Sequence, residues 1–253
     1  MSYALLIPAR DEAETLPHLF AGIRRLGDPP ARVVVVDNGS TDGPAAVAAR
    51  LGAEVVAEPR PGYGRACLAG IARLREARPE TPDTIVFLDA DDFAAPAQLP
   101  KLLGPIRTGD ADLVVGERTA SAPHLGVRWH ARLGNRFVLA VMRVRFGAQV
   151  RDMGPFRAIR MDTLDALDLD DLDYGWYVQM QVRALAGGWR VTGVPVDFER
   201  RTVGRSKVSG DALASAKAGW VMIGTLATEI ARARGRRDPV PTPESQSRAD
   251  TSS

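Results

Sequence analysis

One cysteine, Cys67, stands among 253 residues. This excludes an internal disulfide and a zinc site built from cysteines, and it suits a reducing compartment, with Cys67 itself expected to be a small buried apolar residue. Long hydrophobic runs are missing as well. The nearest, "AGWVMIGTLA" from Ala218 to Ala227, lies between Lys217 and Glu229 and falls short of the roughly 18 residues a membrane span needs. It is expected to pack on the core as a helix, the alternative being a helix resting on a membrane surface. The opening "MSYALLIPARDE" has no basic leader and reaches acids too early for a signal peptide, so the mature chain is expected to begin here and to be cytoplasmic. Neither sign of charge prevails: 33 Lys and Arg against 31 Asp and Glu leave +2, which gives no reason to expect nonspecific nucleic-acid binding. Three histidines, His18, His124 and His130, show no metal-ligand spacing and are expected at the surface. There is no internal repeat and no heptad pattern.

Short β-branched runs are plentiful. "YALLIPA", "RVVVVDN", "AEVVAE", "TIVFLDA" and "ADLVVGE" are nearly continuous in apolar character, as strands buried on both faces of a parallel sheet are. Helical patterns lie between them. Leu16, Leu19, Phe20 and Ile23 share one face, with Asp11 and Glu14 placed as a capping pair, and Leu68, Ile71 and Leu74 share another in a helix that stops before Pro79. The alternation predicts a doubly wound α/β sheet whose ligands collect at the carboxyl ends of the strands, where "PARDE", "DNGSTD", "DADD" and "GER" stand. Beyond Pro123 the rhythm changes to an Arg-rich helix, a turn into a strand at "RDMGPFRAIR", a helix at "YGWYVQMQVRALAGG" and a last strand at "WRVTGVPVDFER". The tail from about Gly235 is rich in Pro, Ser, Thr and charge and is expected to be disordered, with no catalytic role.

The densest charge falls where the fourth strand ends, in "IVFLDADDFAAP". Asp89 and Asp91 flank Ala90, so their carboxylates can converge. Unpaired buried anions repel and hold protons, whereas a divalent cation lets both stay ionised. Taken alone a D-x-D is a weak signal, since capping of the next helix explains such residues as often.

The ordered blocks "IPARDE", "VVVVDNGSTDG", "GYGRACLAG" and "FLDADD" together resemble the family-two inverting glycosyltransferases, which have the nucleotide-sugar-binding GT-A fold. "DMGPFRAIR", "YGWYVQMQVRA" and "VPVDFERRTVGRSKVSG" look like their dolichol-phosphate-mannose-synthase-like branch, soluble bacterial type, over roughly residues 3 to 230. The resemblance implies a single GT-A domain over residues 1–234, with a nucleotide-sugar half (1–122) and an acceptor half (123–234). It implies donor contacts from Pro8, Ala9, Arg10, Glu12, Asp37, Asn38, Ser40, Gly62, Gly64, Arg65, Asp89, Ala90, Arg205 and Ser206. Asp89 and Asp91 would hold Mg²⁺ or Mn²⁺ on the donor diphosphate, Asp91 as the chief ligand. Asp91, Asp152, Gln179, Arg201 and Lys207 would form the catalytic group, and Arg118, Gly154 and Trp176 would meet the acceptor. Arg201, Arg205, Ser206 and Lys207 belong to a segment that folds over phosphates in this branch. Cations there would stabilise a leaving diphosphate, although the segment alone reads as a solvated basic turn.

Two positions depart from the branch. Phe93 stands where a glutamine often contributes a metal contact, with Asp92 beside it. Gln179 stands where the helix usually carries a glutamate, and an amide cannot act as a general base, though it can hydrogen-bond an acceptor. Because a phosphate acceptor is already an anion while a hydroxyl must lose a proton, Gln179 favours a phosphate. Asp152 and Asp173 remain as candidate bases, Asp173 reading more simply as part of an acidic lead-in to the helix. Along the Arg-rich helix, Arg128, Arg132, Arg136 and Arg143 lie on one side, suited to an anionic headgroup. The plainer expectation there is a solvated helix with Leu133, Phe137 and Val141 facing inwards. Trp129, Trp189 and Trp220 are expected in the core, with Trp176 as a sugar-facing exception.

The expected activity is metal-dependent, inverting transfer of a sugar from a UDP- or GDP-sugar to a polyprenyl phosphate, at the inner membrane face with peripheral membrane contact. Transfer to a soluble hydroxyl or phosphate compound is the alternative. A sugar-1-phosphate nucleotidyltransferase would open with a Gly-rich loop, which "LLIPARDEAETL" lacks. A noncatalytic nucleotide-sugar-binding protein is the third reading, motivated by Phe93 and Gln179.

Overall fold

The computed structural model describes residues 1–76, 81–118, 129–197 and 212–235. Seven strands form one sheet: β1 (Tyr3–Ala9), β2 (Arg32–Asp37), β3 (Glu54–Ala57), β4 (Thr84–Phe87), β5 (Leu113–Arg118), β6 (Arg157–Arg160) and β7 (Val191–Val196), in the order β3-β2-β1-β4-β6-β5-β7. β6 runs antiparallel to both β4 and β5, and the remaining pairs are parallel. Each strand recognised in the sequence is present, in the mostly parallel α/β arrangement expected.

Period-two alternation sends successive strand residues to opposite faces. Leu5, Ile7, Val35, Val86 and Val114 enter one buried cluster, while Leu6, Val34, Val36, Ile85, Phe87, Leu113 and Val115 enter the other. The first cluster is closed by α1 (Leu16–Ile23), α2 (Pro44–Arg50) and α4 (Ala95–Arg107). The second is closed by α3 (Tyr63–Arg75), α6 (Met161–Leu167) and α7 (Trp176–Ala186). A third cluster joins α5 (Trp129–Phe146), α7 and α8 (Ala212–Gly235) through Val138, Met142, Val178, Val182 and Leu226. Cys67 and Trp189 are buried, as expected.

α4 forms despite Pro100 and Pro105 in its interior. Each such proline costs about 3 kcal/mol in a helix. Burial of Leu99, Leu102, Leu103 and Ile106, at about 1.5–3 kcal/mol per side chain, outweighs that cost.

The antiparallel strand decides where the halves meet. Arg157 lies in register opposite Phe87 on one side and Val115 on the other. The start of β6 therefore shares an edge with the carboxyl ends of β4 and β5, bringing residues 152–156 beside the aspartate loop. β6, although it follows residue 122, is enclosed by β4 and β5, which precede it.

Candidate active site

The loops that follow β1 and β2 are laced together. The Thr41 amide and hydroxyl donate to Asp11 Oδ1 at 2.6 and 2.9 Å, the Asp11 amide donates to Ser40 Oγ at 2.9 Å, and the Ala13 amide donates to Asp42 Oδ2 at 3.0 Å. Asp11 adopts φ 50°, a left-handed conformation that aspartate tolerates better than most residues. The expected Asp11–Glu14 cap is thus not formed: Asp11 is engaged by the neighbouring loop, and α1 begins without a side-chain cap. Glu12 accepts from the Thr15 hydroxyl at 2.8 Å, and Asp37 Oδ1 accepts from the Ser40 amide at 3.0 Å. Pro8 and Ala9 end β1, with Ala9 paired to Asp37 and Arg10 exposed beyond them.

The amide of buried Asn38 serves the backbone. It donates to the Glu58 and Arg60 carbonyls at 3.0 and 2.9 Å and accepts from the Gly62 amide at 3.0 Å. Gly62 holds φ 150°, and a Cβ on Gly64 would strike the Asp171 carbonyl. These glycines admit the chain's own 171–172 segment, whose Leu172 carbonyl accepts from the Arg65 amide at 3.2 Å.

The aspartate loop follows β4. Asp92 Oδ1 accepts from the Ala95 amide at 3.2 Å, so this third acid takes the capping part that a D-x-D can play. Asp89 receives a long contact of 3.4 Å from the Tyr63 hydroxyl. Burial, reinforced by Asp91 and Asp92, pushes the Asp89 carboxyl up to about 7. Burial likewise raises Asp92 to about 7, against the Ala95 amide and with Asp91 adding to the rise. Among the described residues no Lys or Arg forms an ion pair with Asp89, Asp91 or Asp92. Nor do three or more His, Cys, Asp or Glu gather there as a ready metal cage. Paired oxygen donors short of positive charge are the donor set a hard dication would hold together with a diphosphate and water.

The region expected to meet an acceptor is built differently. Arg118, at the end of β5, clamps Asp152: Nε to Oδ2 at 2.7 Å, Nη2 to Oδ1 at 2.8 Å, and its backbone amide to Oδ2 at 3.2 Å. Asn135 of α5 and the Met153 amide donate to the same carboxylate. Burial would raise the Asp152 carboxyl, but the Arg118 guanidinium overcomes this and leaves it below the usual range. Gly154 sits beneath the clamp, 3.0 Å from the Gly116 carbonyl when measured from the position a Cβ would take.

Two expectations for the acceptor change. Gln179 has no spare valence for an acceptor: its Oε1 accepts from the Asp170 and Asp171 amides at 2.8 and 2.9 Å, and its Nε2 donates to Asp170 and Glu229 at 2.7 and 3.1 Å. Trp176 is fully buried, edge-on to Phe87 at 6.3 Å between ring centroids, and belongs to the core rather than to a sugar platform. Arg201, Arg205, Ser206 and Lys207 lie outside the described residues. The segment that holds them leaves from Asp197, whose amide donates to Gln98 Oε1 at 2.6 Å on α4.

Sequence reasoning missed Tyr63, Tyr177 and Arg157. Fully buried Arg157 donates to the Gly154 carbonyl (Nη2, 2.7 Å) and lies 4.5 Å from the centroid of the Tyr177 ring, which in turn packs 4.8 Å from Tyr63. A signal was available: an arginine in an apolar central strand must find internal acceptors.

A mostly parallel seven-stranded sheet flanked by helices is the architecture of the GT-A fold. Residues 4–168 match the family described as Glycosyl transferase family 2, and the chain belongs to that family. An uncharacterized glycosyltransferase of Mycobacterium tuberculosis is 40% identical over 210 residues, covering 81% of this chain and 89% of that protein. The undecaprenyl-phosphate mannosyltransferase of Micrococcus luteus is 35% identical over 225 residues, covering 83% and 88%. The polyprenol monophosphomannose synthase of Mycolicibacterium smegmatis is 32% identical over 252 residues, covering 91% and 89%. In fold, the chain resembles the crystal structure of glucosyl-3-phosphoglycerate synthase from Mycobacterium tuberculosis in complex with Mn²⁺, UDP and phosphoglyceric acid. That likeness has a TM-score of 0.71 at 24% identity and covers 90% of this chain and 78% of that one.

Proposed function

We propose that this glycosyltransferase moves a hexose, in a single inverting displacement, from a nucleoside-diphosphate sugar to the phosphate of a polyprenyl phosphate. An acceptor phosphate oxygen forms the new bond to the anomeric carbon as the bond to the donor diphosphate breaks, and the nucleoside diphosphate departs with the electron pair. The carrying observation is that Asp152 is bound bidentately by Arg118 and held below the usual carboxylate range. A carboxylate so held is a poor proton acceptor, and Gln179 is none at all, which suits an acceptor oxygen that is already anionic. Arg118 then has a second part, presenting a cationic edge towards the incoming phosphate. The names of the relatives from Micrococcus luteus and Mycolicibacterium smegmatis support the same acceptor class.

Asp89 and Asp91 would hold a divalent cation, Mg²⁺ or Mn²⁺, which when bound neutralises charge on the departing diphosphate. Asp37 would read an N–H of the base, a feature shared by uracil and guanine, with Ser40 fixing its rotamer. Arg201, Arg205, Ser206 and Lys207 would add cations and donors to the phosphates.

The test supplies the purified chain with Mn²⁺, a short-chain polyprenyl phosphate and radiolabelled UDP-, GDP- or dTDP-sugars, and counts label in organic solvent. Label from one donor is expected. Donor binding with no extractable label would refute the lipid acceptor and leave a soluble phosphate or hydroxyl compound in its place.

A further inference from the structure

Helix α5 is turned differently from the way its sequence suggests. Val138 and Met142 point into the third cluster, with Leu139, Val141 and Phe146 packed against it. Phe137, expected inside, is 53% exposed, and Val144, seven residues on, is 89% exposed. They are two of the four large hydrophobic residues exposed among the described residues. A spacing of seven puts both on one stripe of the helix. Arg136 and Arg143, also seven apart and both exposed, form the adjoining stripe, and exposed Arg145 follows. Arg128 and the side chains of Arg132 and Leu133 lie outside what the structure describes. The sequence from Trp129 to Phe146 contains no acidic residue to neutralise these cations.

We infer that the outer face of α5, formed by Arg136, Phe137, Ala140, Arg143 and Val144, docks on the surface of an anionic phospholipid bilayer. Charge complementarity selects this occupant. A stripe of unopposed guanidinium groups beside isolated apolar side chains meets both requirements of a lipid interface, headgroup phosphates for the one and acyl boundary for the other. A second copy of this chain paired α5 against α5 would set arginine against arginine, since the helix has no acidic residue to offer. No helix among the described residues is long and apolar enough to cross a membrane, so the contact is peripheral. Its position is apt: Asn135, which immediately precedes this face, donates to Asp152 beneath the Arg118 clamp at 3.4 Å. The inference rests on the proposed lipid acceptor only for its purpose, since docking would bring the acceptor side of the cleft to the interface where prenyl phosphates lie.

Co-sedimentation of the full chain with phosphatidylcholine vesicles, with and without phosphatidylglycerol, tests it. Binding is expected only where phosphatidylglycerol is present. Each arginine contributes about fivefold, so R136A/R143A should bind about 25-fold more weakly. F137S/V144S should also release the chain, while both variants transfer sugar to a short-chain prenyl phosphate in detergent at the wild-type rate. Failure of the wild-type chain to bind these vesicles, or equal binding by both variants, overturns the inference. So does a dimer in sedimentation velocity that F137S/V144S dissociates, because a second copy then covers the face. Vesicle binding that both variants lose, in a chain that glycosylates no prenyl phosphate, upholds the docking face and removes only the proposed acceptor.

Discussion

Asp89 and Asp92, beyond β4, carry carboxyls pushed up to about 7 by burial and by their acidic neighbours. Asp152 and Glu229, in the second half of the chain, face burial as well, yet arginines hold both, together with exposed Asp170, below the usual carboxylate range. The second group is assembled with its cations: Arg118 on Asp152, and Arg183 bridging Asp170 at 2.7 Å and Glu229 at 2.9 Å. The first group is assembled without them among the described residues. Acids that a protein pairs internally depend on their cations to stay buried and ionised, whereas acids without cations among the described residues are candidates for charge that arrives from outside.

The sharpest break in this comparison would come from Asp91→Ala. Transfer should fall by about 10³-fold or more, with stability within about 0.5 kcal/mol of the parent, as followed by initial rates and urea unfolding. A near-normal rate would show that the unpaired acids are not the site of reaction.

On the paired side, Arg183→Met leaves Glu229, whose side chain is 4% exposed, buried without its main partner. A loss of about 3 kcal/mol is expected, with most of it recovered when Glu229→Met is added. A harmless single substitution in the urea midpoint would mean that the arginine does not govern this cluster.

The two groups should also respond oppositely to pH. A carboxyl raised in the folded state binds its proton more tightly there than in the unfolded chain. Asp89 and Asp92 therefore favour folding at low pH, and that contribution is lost as pH rises from the unfolded value towards about 7. Asp152 contributes above its unfolded value and loses that contribution as pH falls through its lowered folded value. Without divalent cations, stability should drop by on the order of 2 kcal/mol between about pH 5 and about pH 8, and Mn²⁺ should restore more of it at the upper end. A flat profile in chemical denaturation would contradict the first group's incompleteness.

The smallest effect concerns the join between the two regions. Gly64→Ala places a methyl against the Asp171 carbonyl and should cost about 1–2 kcal/mol. Donor binding should weaken too, as measured by titration calorimetry. An unchanged affinity would detach the 171–172 segment from the donor side.

The strands were legible because alternate residues of short β-branched runs face two apolar clusters, and this pattern survives without tertiary knowledge. α4 was hidden by Pro100 and Pro105, local signals that the burial of four large side chains overrules. In the candidate site, the crowding of Asp89, Asp91 and Asp92 could be read from their position after the fourth strand, whereas their use is a proposal. The commitments of Asn38 and Gln179 could not, because an amide looks the same in sequence whether it awaits a ligand or holds a backbone turn. Phe137 was misplaced for a related reason: apolar periodicity in α5 permits more than one inward face, and contact with α8 selects Val138 and Met142.

Strand order also imposes a timetable on synthesis. Between them β1, β2, β3 and β4 need no later residue to complete their mutual pairing, so this part of the sheet can form while the rest is still being made. β5 ends at Arg118 but pairs only with β6 and β7, and β6 begins at Arg157. Until then a newly made β5 has no neighbour, and β4 presents an open edge. The emerging chain depends on whatever shields those edges, so a pause in translation after β5 would be more hazardous than one before it.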